Sequence, residues 1–264
     1  MKKLIQLATP GVDSFLTSFQ LKLNGYLDHD VIPVYFDLGT KYSDDEIKHL
    51  TQFYENIKIE KGFLYLGSIE KNDAYVPNRN LFLATIAQGL YDADTILFSG
   101  VKDDRVSDND DEFYQLTSDV LSKCAGRAIG VDSMLKEKEK VEWVYEYSKF
   151  HLNNISVRLK LVLETFSCFN TGIRNRINVY ESIADKFVRL NFLEYPGCLE
   201  CPACFRKVSA LTGANLYIPY RNVELAKGYI RKVDKNILPN RYNSIIKLNN
   251  FLERLDDKKE EFSL

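Results

Sequence analysis

Short, nearly apolar runs alternate with amphipathic stretches through the first half of the chain. Leu4-Ile5-Gln6-Leu7-Ala8, Asp30 to Asp37, Phe63-Leu64-Tyr65-Leu66 and Thr95-Ile96-Leu97-Phe98 have the length and β-branched or aromatic content of buried strands. Between them, Phe15 to Leu23 reads as a helix that stops at Gly25. Asp45 to Asn56 carries a helical stripe of Ile47, Leu50, Phe53 and Tyr54, continued by Ile57. Asn80 to Tyr91 is a strongly apolar helix. Residues 111 to 124 form another, with Phe113, Leu116, Val120 and Leu121 on one face, and Ala128 to Leu135 reads as a fifth strand. This β-α alternation predicts an α/β fold with a doubly wound parallel sheet. Right-handed crossovers then bring residues 8–14, 37–42 and 99–104 to one sheet edge, where such folds bind ligands.

Past residue 135 the pattern changes. Lys136 to Leu152 reads as a charged, then aromatic helix (Val141, Val144, Tyr147, Phe150), and 154–163 as a connecting helix. A cysteine-bearing region and a more irregular part with Pro219 and Pro239 follow. The tail, Leu248 to Phe262, is a charged amphipathic helix whose Asp256 to Glu261 run is a solvated face. The expected organisation is a nucleotide-binding domain over 1–150 and a helical, metal-binding C-terminal region over 151–264.

At 264 residues, with 45% hydrophobic and 27% charged residues, the chain is long and apolar enough for a full core. A net charge of −2 gives no strong nucleic-acid or membrane-surface signal. No apolar run approaches the roughly 20 residues of a membrane span. The N-terminus shows no signal-peptide pattern, so a cytoplasmic protein is expected. Four of the five cysteines lie between 168 and 204. In a cytoplasmic chain that clustering points to metal rather than disulfides, and Cys124, on a helix, reads as a small core residue.

Two stretches carry candidate chemistry. Ala8-Thr9-Pro10-Gly11-Val12-Asp13-Ser14 joins a strand to a helix, with Asp13 and Ser14 at positions suited to N-capping. Unpaired amides and the helix dipole there favour an anion, so the loop is either a phosphate cradle or an ordinary strand-to-helix turn. It matches neither the Gly-Lys-Ser/Thr end of a Walker A loop nor G-x-G-x-x-G. Cys198, Cys201 and Cys204, spaced by two residues, join Cys168 to supply four thiolates, the closed tetrahedral set of a structural zinc site. Redox chemistry at Cys201 and Cys204 is the alternative. His29, His49 and His151 form no pattern.

The loop resembles Ser-Gly-Gly-x-Asp-Ser, the PP-loop of enzymes that split ATP into AMP and pyrophosphate, with Thr9 and Pro10 in place of Ser and the first Gly. Pro10 brings no N–H and a fixed φ. Thr165-Phe166-Ser167-Cys168-Phe169-Asn170 and Gly197-Cys198-Leu199-Glu200-Cys201-Pro202-Ala203-Cys204-Phe205-Arg206 resemble the zinc segment of 7-cyano-7-deazaguanine synthases. Phe36-Asp37-Leu38-Gly39 with Glu46, Val76-Pro77-Asn78-Arg79-Asn80-Leu81, Gly100-Val101 with Asp104, and Asp108 with Glu112-Phe113 look like further motifs of that family. The resemblance runs from about residue 3 to about residue 210. It breaks at Pro10 and at Val106-Ser107-Asp108-Asn109-Asp110, where the family has Tyr-Pro-Asp-Cys-Arg.

The resemblance implies an adenine nucleotide α-hydrolase-like PP-loop fold with a C-terminal zinc-binding helical subdomain. It implies Zn²⁺, ATP and Mg²⁺ as cofactors, a 7-deazapurine carboxylate and ammonia or an amine as small-molecule partners, and a homodimer. The expected activity is adenylation of 7-carboxy-7-deazaguanine and conversion to the amide or nitrile, in queuosine biosynthesis or in a nucleic-acid or protein modification pathway. Thr9, Gly11, Asp13 and Ser14 would hold pyrophosphate, with Asp13 or a neighbour assisting Mg²⁺. Arg79 would clamp phosphate or carboxylate, its other reading being a surface Arg capping a turn. Asn78 and Gly100 would line the same site. Asp37 and Asp108 would meet the purine or ribose edge, or else cap helices. Cys168, Cys198, Cys201 and Cys204 would hold zinc. The competing readings are a non-catalytic, zinc-stiffened nucleotide-binding scaffold and a PP-loop tRNA thiolase.

Overall fold

The computed structural model describes residues 3–27, 29–62, 65–70, 76–104, 107–168, 170, 173–183, 186–219, 223–231 and 239–257. The chain forms two compact units, Met1–Lys138 and Glu139–Leu264.

In the first unit, β1 (Leu4–Leu7), β2 (Val31–Phe36), β3 (Lys58–Glu60), β4 (Thr95–Phe98) and β5 (Gly130–Ser133) make one sheet, in the order β3-β2-β1-β4-β5. Every pairing is parallel. The connections carry α1 (Val12–Leu23), α2 (Ser43–Phe53), α3 (Arg79–Tyr91) and α4 (Asp111–Ala125). In the central strand Ile5 is in register with Ile32 on one side and Ile96 on the other. Ile5, Val34, Phe36, Ile96 and Phe98 build the core with Ala84 and Ala87 of α3. The small alanines let α3 lie close to the sheet.

The sequence places the third strand at 63–66, but the structure forms it at Lys58–Glu60, in register with Val34–Phe36. A short strand at a sheet edge carries charges, so a search for apolar runs passes over it. Phe63 and Leu64 lie outside the described residues, as do Val106, Phe169 and the end of the expected tail helix. Leu66 sits in a turn, its N–H donating to Leu38 O at 2.9 Å. On α4 the buried stripe is Tyr114, Thr117 and Leu121, at helical spacing. Leu116 and Val120, expected on the core face, are 58% and 56% exposed. Cys124 is exposed rather than a core residue: it continues the spacing of that stripe but lies in the last turn of α4, one residue before the helix ends at Ala125.

The second unit contains α5 (Lys140–Phe150), α6 (Ile155–Leu163), β6 (Arg174–Ile183), β7 (Lys186–Pro196), α7 (Pro202–Gly213), β8 (Leu216–Tyr217), α8 (Val223–Arg231) and α9 (Pro239–Asp257). Helix α5 packs on α7 within this unit, whereas the expected boundary at 150 assigns it to the first domain. The unit is also not purely helical: β6 and β7 form a long antiparallel hairpin, and β8 pairs with β6. Ile177 and Val179 point inward, with Arg176 exposed and Asn178 half-buried between and beside them. Phe251 of α9 packs its ring on Tyr180, Tyr217 and Phe187. An Arg158–Glu181 ion pair at 2.7 Å ties α6 to β6. Among the described residues no helix is long and apolar enough to cross a membrane.

Candidate functional site

The first candidate region is the C-terminal edge of the parallel sheet. The N-cap of α1 is Gly11, in extended conformation and without a side-chain cap. Asp13 and Ser14 therefore lie inside the first turn rather than at the capping position, because the helix already begins at Val12. Ser14 turns back instead: the Thr9 N–H donates to Ser14 Oγ at 2.9 Å, and the two hydroxyls are 3.2 Å apart. The Gly11 N–H approaches Thr9 Oγ1 at 3.4 Å. Beyond β4, Ser99 Oγ accepts from Thr17 Oγ1 at 2.9 Å and lies 3.4 Å from Ser14 Oγ. The ends of β1 and β4 thus meet through hydroxyls beside the first amides of α1, for which a helix supplies no acceptor.

Gly100 follows Ser99. A Cβ there would collide with the Tyr114 hydroxyl and with Asn109. Its lack of a side chain therefore serves the close approach of α4. Asn109 Nδ2 donates to Asp104 Oδ2 at 2.7 Å, and the Tyr114 hydroxyl donates to Asn109 Oδ1 at 2.6 Å. The start of α3 joins the same loop through Asn80 Nδ2, which donates to Asp108 O at 2.7 Å. Asp108 caps no helix, since Asp110 caps α4 by accepting from the Phe113 N–H. Asp37 caps none either; its Oδ1 accepts from the Gly39 N–H at 3.0 Å.

A second group gathers beyond the end of β2. The Tyr35 hydroxyl donates to Glu46 Oε2 at 2.7 Å. Burial pushes the Glu46 carboxyl up to about 7, against the Tyr35 hydrogen bond and the Arg79 charge, with Asp37 and Glu70 adding to the rise. Burial also pushes Tyr42 up to about 12, reinforced by Glu46 and Glu70 and opposed by Arg79. Glu46, Arg79, Asp37 and Glu70 are therefore within electrostatic reach of one another. Arg79 is exposed, with its Nε donating to Asn80 Oδ1 at 3.3 Å. Asn78, at φ 57°, precedes α3 in the left-handed region. Glu46 belongs to the motif read from the sequence, but only its burial reveals a carboxyl poised near neutrality.

The third region lies in the second unit. The sulfurs of Cys168, Cys198, Cys201 and Cys204 all fall within 4.8 Å of one another, and all four residues are buried. Cys168 and Cys201 sulfurs are 3.9 Å apart, far beyond a disulfide bond. Around a tetrahedral zinc with Zn–S bonds of about 2.3 Å, neighbouring sulfurs stand about 3.8 Å apart. The cluster fits such an ion. Leu199, buried at φ 55°, bends the chain so that the Glu200 and Cys201 amides both donate to Cys198 Sγ at 3.3 Å. Asn170 and Cys198 amides donate to Cys168 Sγ, and the Cys204 amide to Cys201 Sγ. Cys201 caps α7, and Pro202 takes its first position, where no N–H is needed. At Gly197 a Cβ would press to 2.9 Å from the Tyr195 ring and 3.0 Å from Cys204 Sγ. Hydrogen bonding among the thiols pushes Cys168 and Cys204 upward. Leu199, Tyr195 and Lys207 of this region carry no sequence signal of their own.

The family model for the queuosine biosynthesis protein QueC matches residues 46–215, well over half of the chain. The match takes in Glu46, Asn78, Arg79, Gly100, Asp108 and the four cysteines, while Asp37 and the loop from Thr9 to Ser14 precede it. No curated protein matches the chain. Among solved structures, a predicted subunit of tRNA methyltransferase from Methanocaldococcus jannaschii is 19% identical, with a TM-score of 0.39 over 56% of this chain and 76% of that one. The NH3-dependent NAD synthetase from Campylobacter jejuni is 12% identical, with a TM-score of 0.34 over 100% of this chain and 89% of that one.

Two outcomes follow from this geometry. Glu46 binds its proton more tightly folded than unfolded, so its contribution to stability is lost as pH rises from about 4.5 to about 7. Glu46→Gln keeps an acceptor for Tyr35 and removes that penalty. Urea unfolding at pH 5 and pH 8 should show the variant gaining on the order of 1–3 kcal/mol over wild type at the higher pH only, at ~1.4 kcal/mol per pKa unit. An equal difference at both pH values would contradict the assignment. At the cysteine centre, Cys198→Ser removes one of the four sulfurs. It should weaken metal retention by more than about tenfold, the lower bound for even an outer-shell change, as read by metal analysis after chelator dialysis.

Proposed function

The chain belongs to the QueC family, and on that premise we propose that it is an ATP-dependent carbon–nitrogen ligase acting on a 7-deazapurine carboxylate, 7-carboxy-7-deazaguanine. A carboxylate is a poor electrophile because its leaving group would be oxide. Attack of its oxygen on the ATP α-phosphorus releases pyrophosphate and leaves an acyl-adenylate. Ammonia or an amine then attacks the acyl carbon, releasing AMP and forming the amide. A second adenylation of the amide oxygen permits loss of a proton and AMP to give the nitrile.

Such chemistry asks the protein chiefly to position the reactants and to neutralise charge. Thr9, Gly11, Asp13 and Ser14 would hold the pyrophosphate at the N-terminus of α1, with Asp13 assisting Mg²⁺. Asn78 and Arg79 would orient and clamp phosphate or carboxylate, and Gly100, Asp37 and Asp108 would line the purine and ribose side. In the second unit Cys168, Cys198, Cys201 and Cys204 would hold Zn²⁺. A closed set of four sulfurs leaves no position for substrate, so the ion's contribution there is structural.

The observation that carries this reading is the family match, which spans Arg79 and all four cysteines. The tie between the Thr9 N–H and Ser14 favours a second reading, a scaffold that binds nucleotide without turnover. Pyrophosphate release by zinc-loaded protein separates the two. With ATP, 7-carboxy-7-deazaguanine and ammonium present, release should depend on the carboxylate. Mass spectrometry should show the amide or nitrile, and Arg79→Ala should slow release on the order of 10²-fold. Retained ATP and zinc binding with no release would overturn the ligase reading in favour of the scaffold.

A further inference from the structure

Lys207 is a basic side chain in a place where a cation is costly. It lies on α7, three residues past Cys204, and is 3% exposed. Its Nζ donates to the carbonyl oxygens of Val162 at 3.0 Å and Thr165 at 2.5 Å, at the C-terminal end of α6. The same ammonium stands 4.7 Å from the centre of the Tyr195 ring. Among the described residues no carboxylate pairs with it. Two carbonyls and a ring face compensate part of the desolvation of an ammonium, but a buried charge is ordinarily matched by an opposite one.

The opposite charge lies close to the same ring. Gly197 is wedged between the Tyr195 ring and Cys204 Sγ so tightly that a Cβ would press on both. Ammonium, ring, glycine and sulfur are therefore close neighbours; burial pushes the Lys207 ammonium down to about 7, and negative charge on Cys204 and Cys168 opposes that fall. Four thiolates around a divalent ion carry a net charge of −2, which a dry interior must balance. Five backbone N–H···S contacts and the N-terminus of α7 supply partial positive charge. None supplies a whole one.

We infer that Lys207 is the built-in counter-cation of the four-cysteine centre: its ammonium, clamped by Val162, Thr165 and Tyr195, offsets the charge that four thiolates leave around a divalent metal and sets how tightly that metal is held. Lys207 touches no ligand of the proposed reaction and acts through the sulfurs, as a positioning residue. The inference rests on the cysteine centre and stands whether or not the ligase reading holds.

A tether between α6 and α7 would use the same hydrogen bonds, so the test separates charge from tethering. Lys207→Gln keeps a donor for the carbonyls without the charge, and Lys207→Arg keeps the charge. In the full chain, competition for Zn²⁺ with a chromophoric chelator should show Gln weakening retention by about 10–100-fold, the range of outer-shell changes, and Arg staying within a few-fold of wild type. With Co²⁺ as the probe, the sulfur-to-metal charge-transfer band should move to lower energy in Gln and stay in place in Arg, because losing a nearby cation raises the sulfur donor orbitals. If Gln proves insoluble, Lys207→Met, of similar volume, is read in the same way. Wild-type zinc retention and an unmoved band in the uncharged variants would overturn the inference. So would equal destabilisation of metal-free and metal-loaded protein with an unmoved band, which would leave only a tether.

Discussion

A central strand buried on both faces fixes the geometry of the first unit. β1 pairs in parallel on both sides, so its neighbours can be reached only by crossovers through helices. β2 and β3 lie to one side and β4 and β5 to the other, which puts a reversal of strand order between β1 and β4. In doubly wound sheets the crevice opens at such a reversal, beyond the strand C-termini. Ser14, Thr17 and Ser99 meet there. The polar residue within β1 supports them from below: Gln6 Nε2 donates to Ser14 O at 3.0 Å, and its Oε1 accepts from Ser18 at 3.0 Å. Gln6 is 2% exposed, so these bonds compensate its burial and hold the first turn of α1 at a set height above the sheet.

In the second unit the corresponding constraint is charge. Four sulfurs drawn from the end of α6, the turn after β7 and the start of α7 converge in a space with room for one ion. The left-handed Leu199 costs conformational energy that only the converging amides explain. The hairpin of β6 and β7 delivers its last residues to that point, where Asn175 Nδ2 donates to Gly197 O at 2.6 Å. Helix α8 closes the other side through the Tyr229 hydroxyl, which donates to Glu200 O at 2.9 Å. Sheet, helices and turn are thus organised around a centre whose four sulfurs, as thiolates, call for a cation between them.

What the sequence reveals follows from how locally each feature is encoded. β1, β2 and β4 are near-continuous apolar runs, and such a run needs no partner to be recognised. The same holds for the cysteine spacing, because a two-residue gap within one turn brings two sulfurs to one ion whatever the rest of the fold does. β3 escapes because an edge strand of Lys-Ile-Glu carries its identity in its pairing with Val34–Phe36. The alternation of Arg176, Ile177, Asn178 and Val179 is a strand signal diluted by polar residues. On α4, Leu116 and Val120 suggest the wrong face because exposed apolar residues are common on real surfaces. Glu46 and Lys207 are the hardest to find: a charged residue becomes informative only when burial removes its water, and burial belongs to the whole fold.

The altered loop and the group beyond β2 bear on the same question, how an anion would be held at this edge. Pro10 contributes no N–H, and the Thr9 N–H is committed to Ser14, so a phosphate would draw on the first amides of α1 and on hydroxyls already linked to one another. Such a cradle is prearranged but weakly positive. Arg79 then offers a full charge to an anion at the edge, and the start of α3 that carries it is tied by the Asn80–Asp108 hydrogen bond rather than by the loop. Glu46 tempers it: as an anion it would compete for Arg79, and as an acid it leaves the guanidinium to a ligand. A carboxyl whose burial pushes it up to about 7 is therefore suited to this place, because a positive or hydrogen-bond-donating neighbour changes its charge.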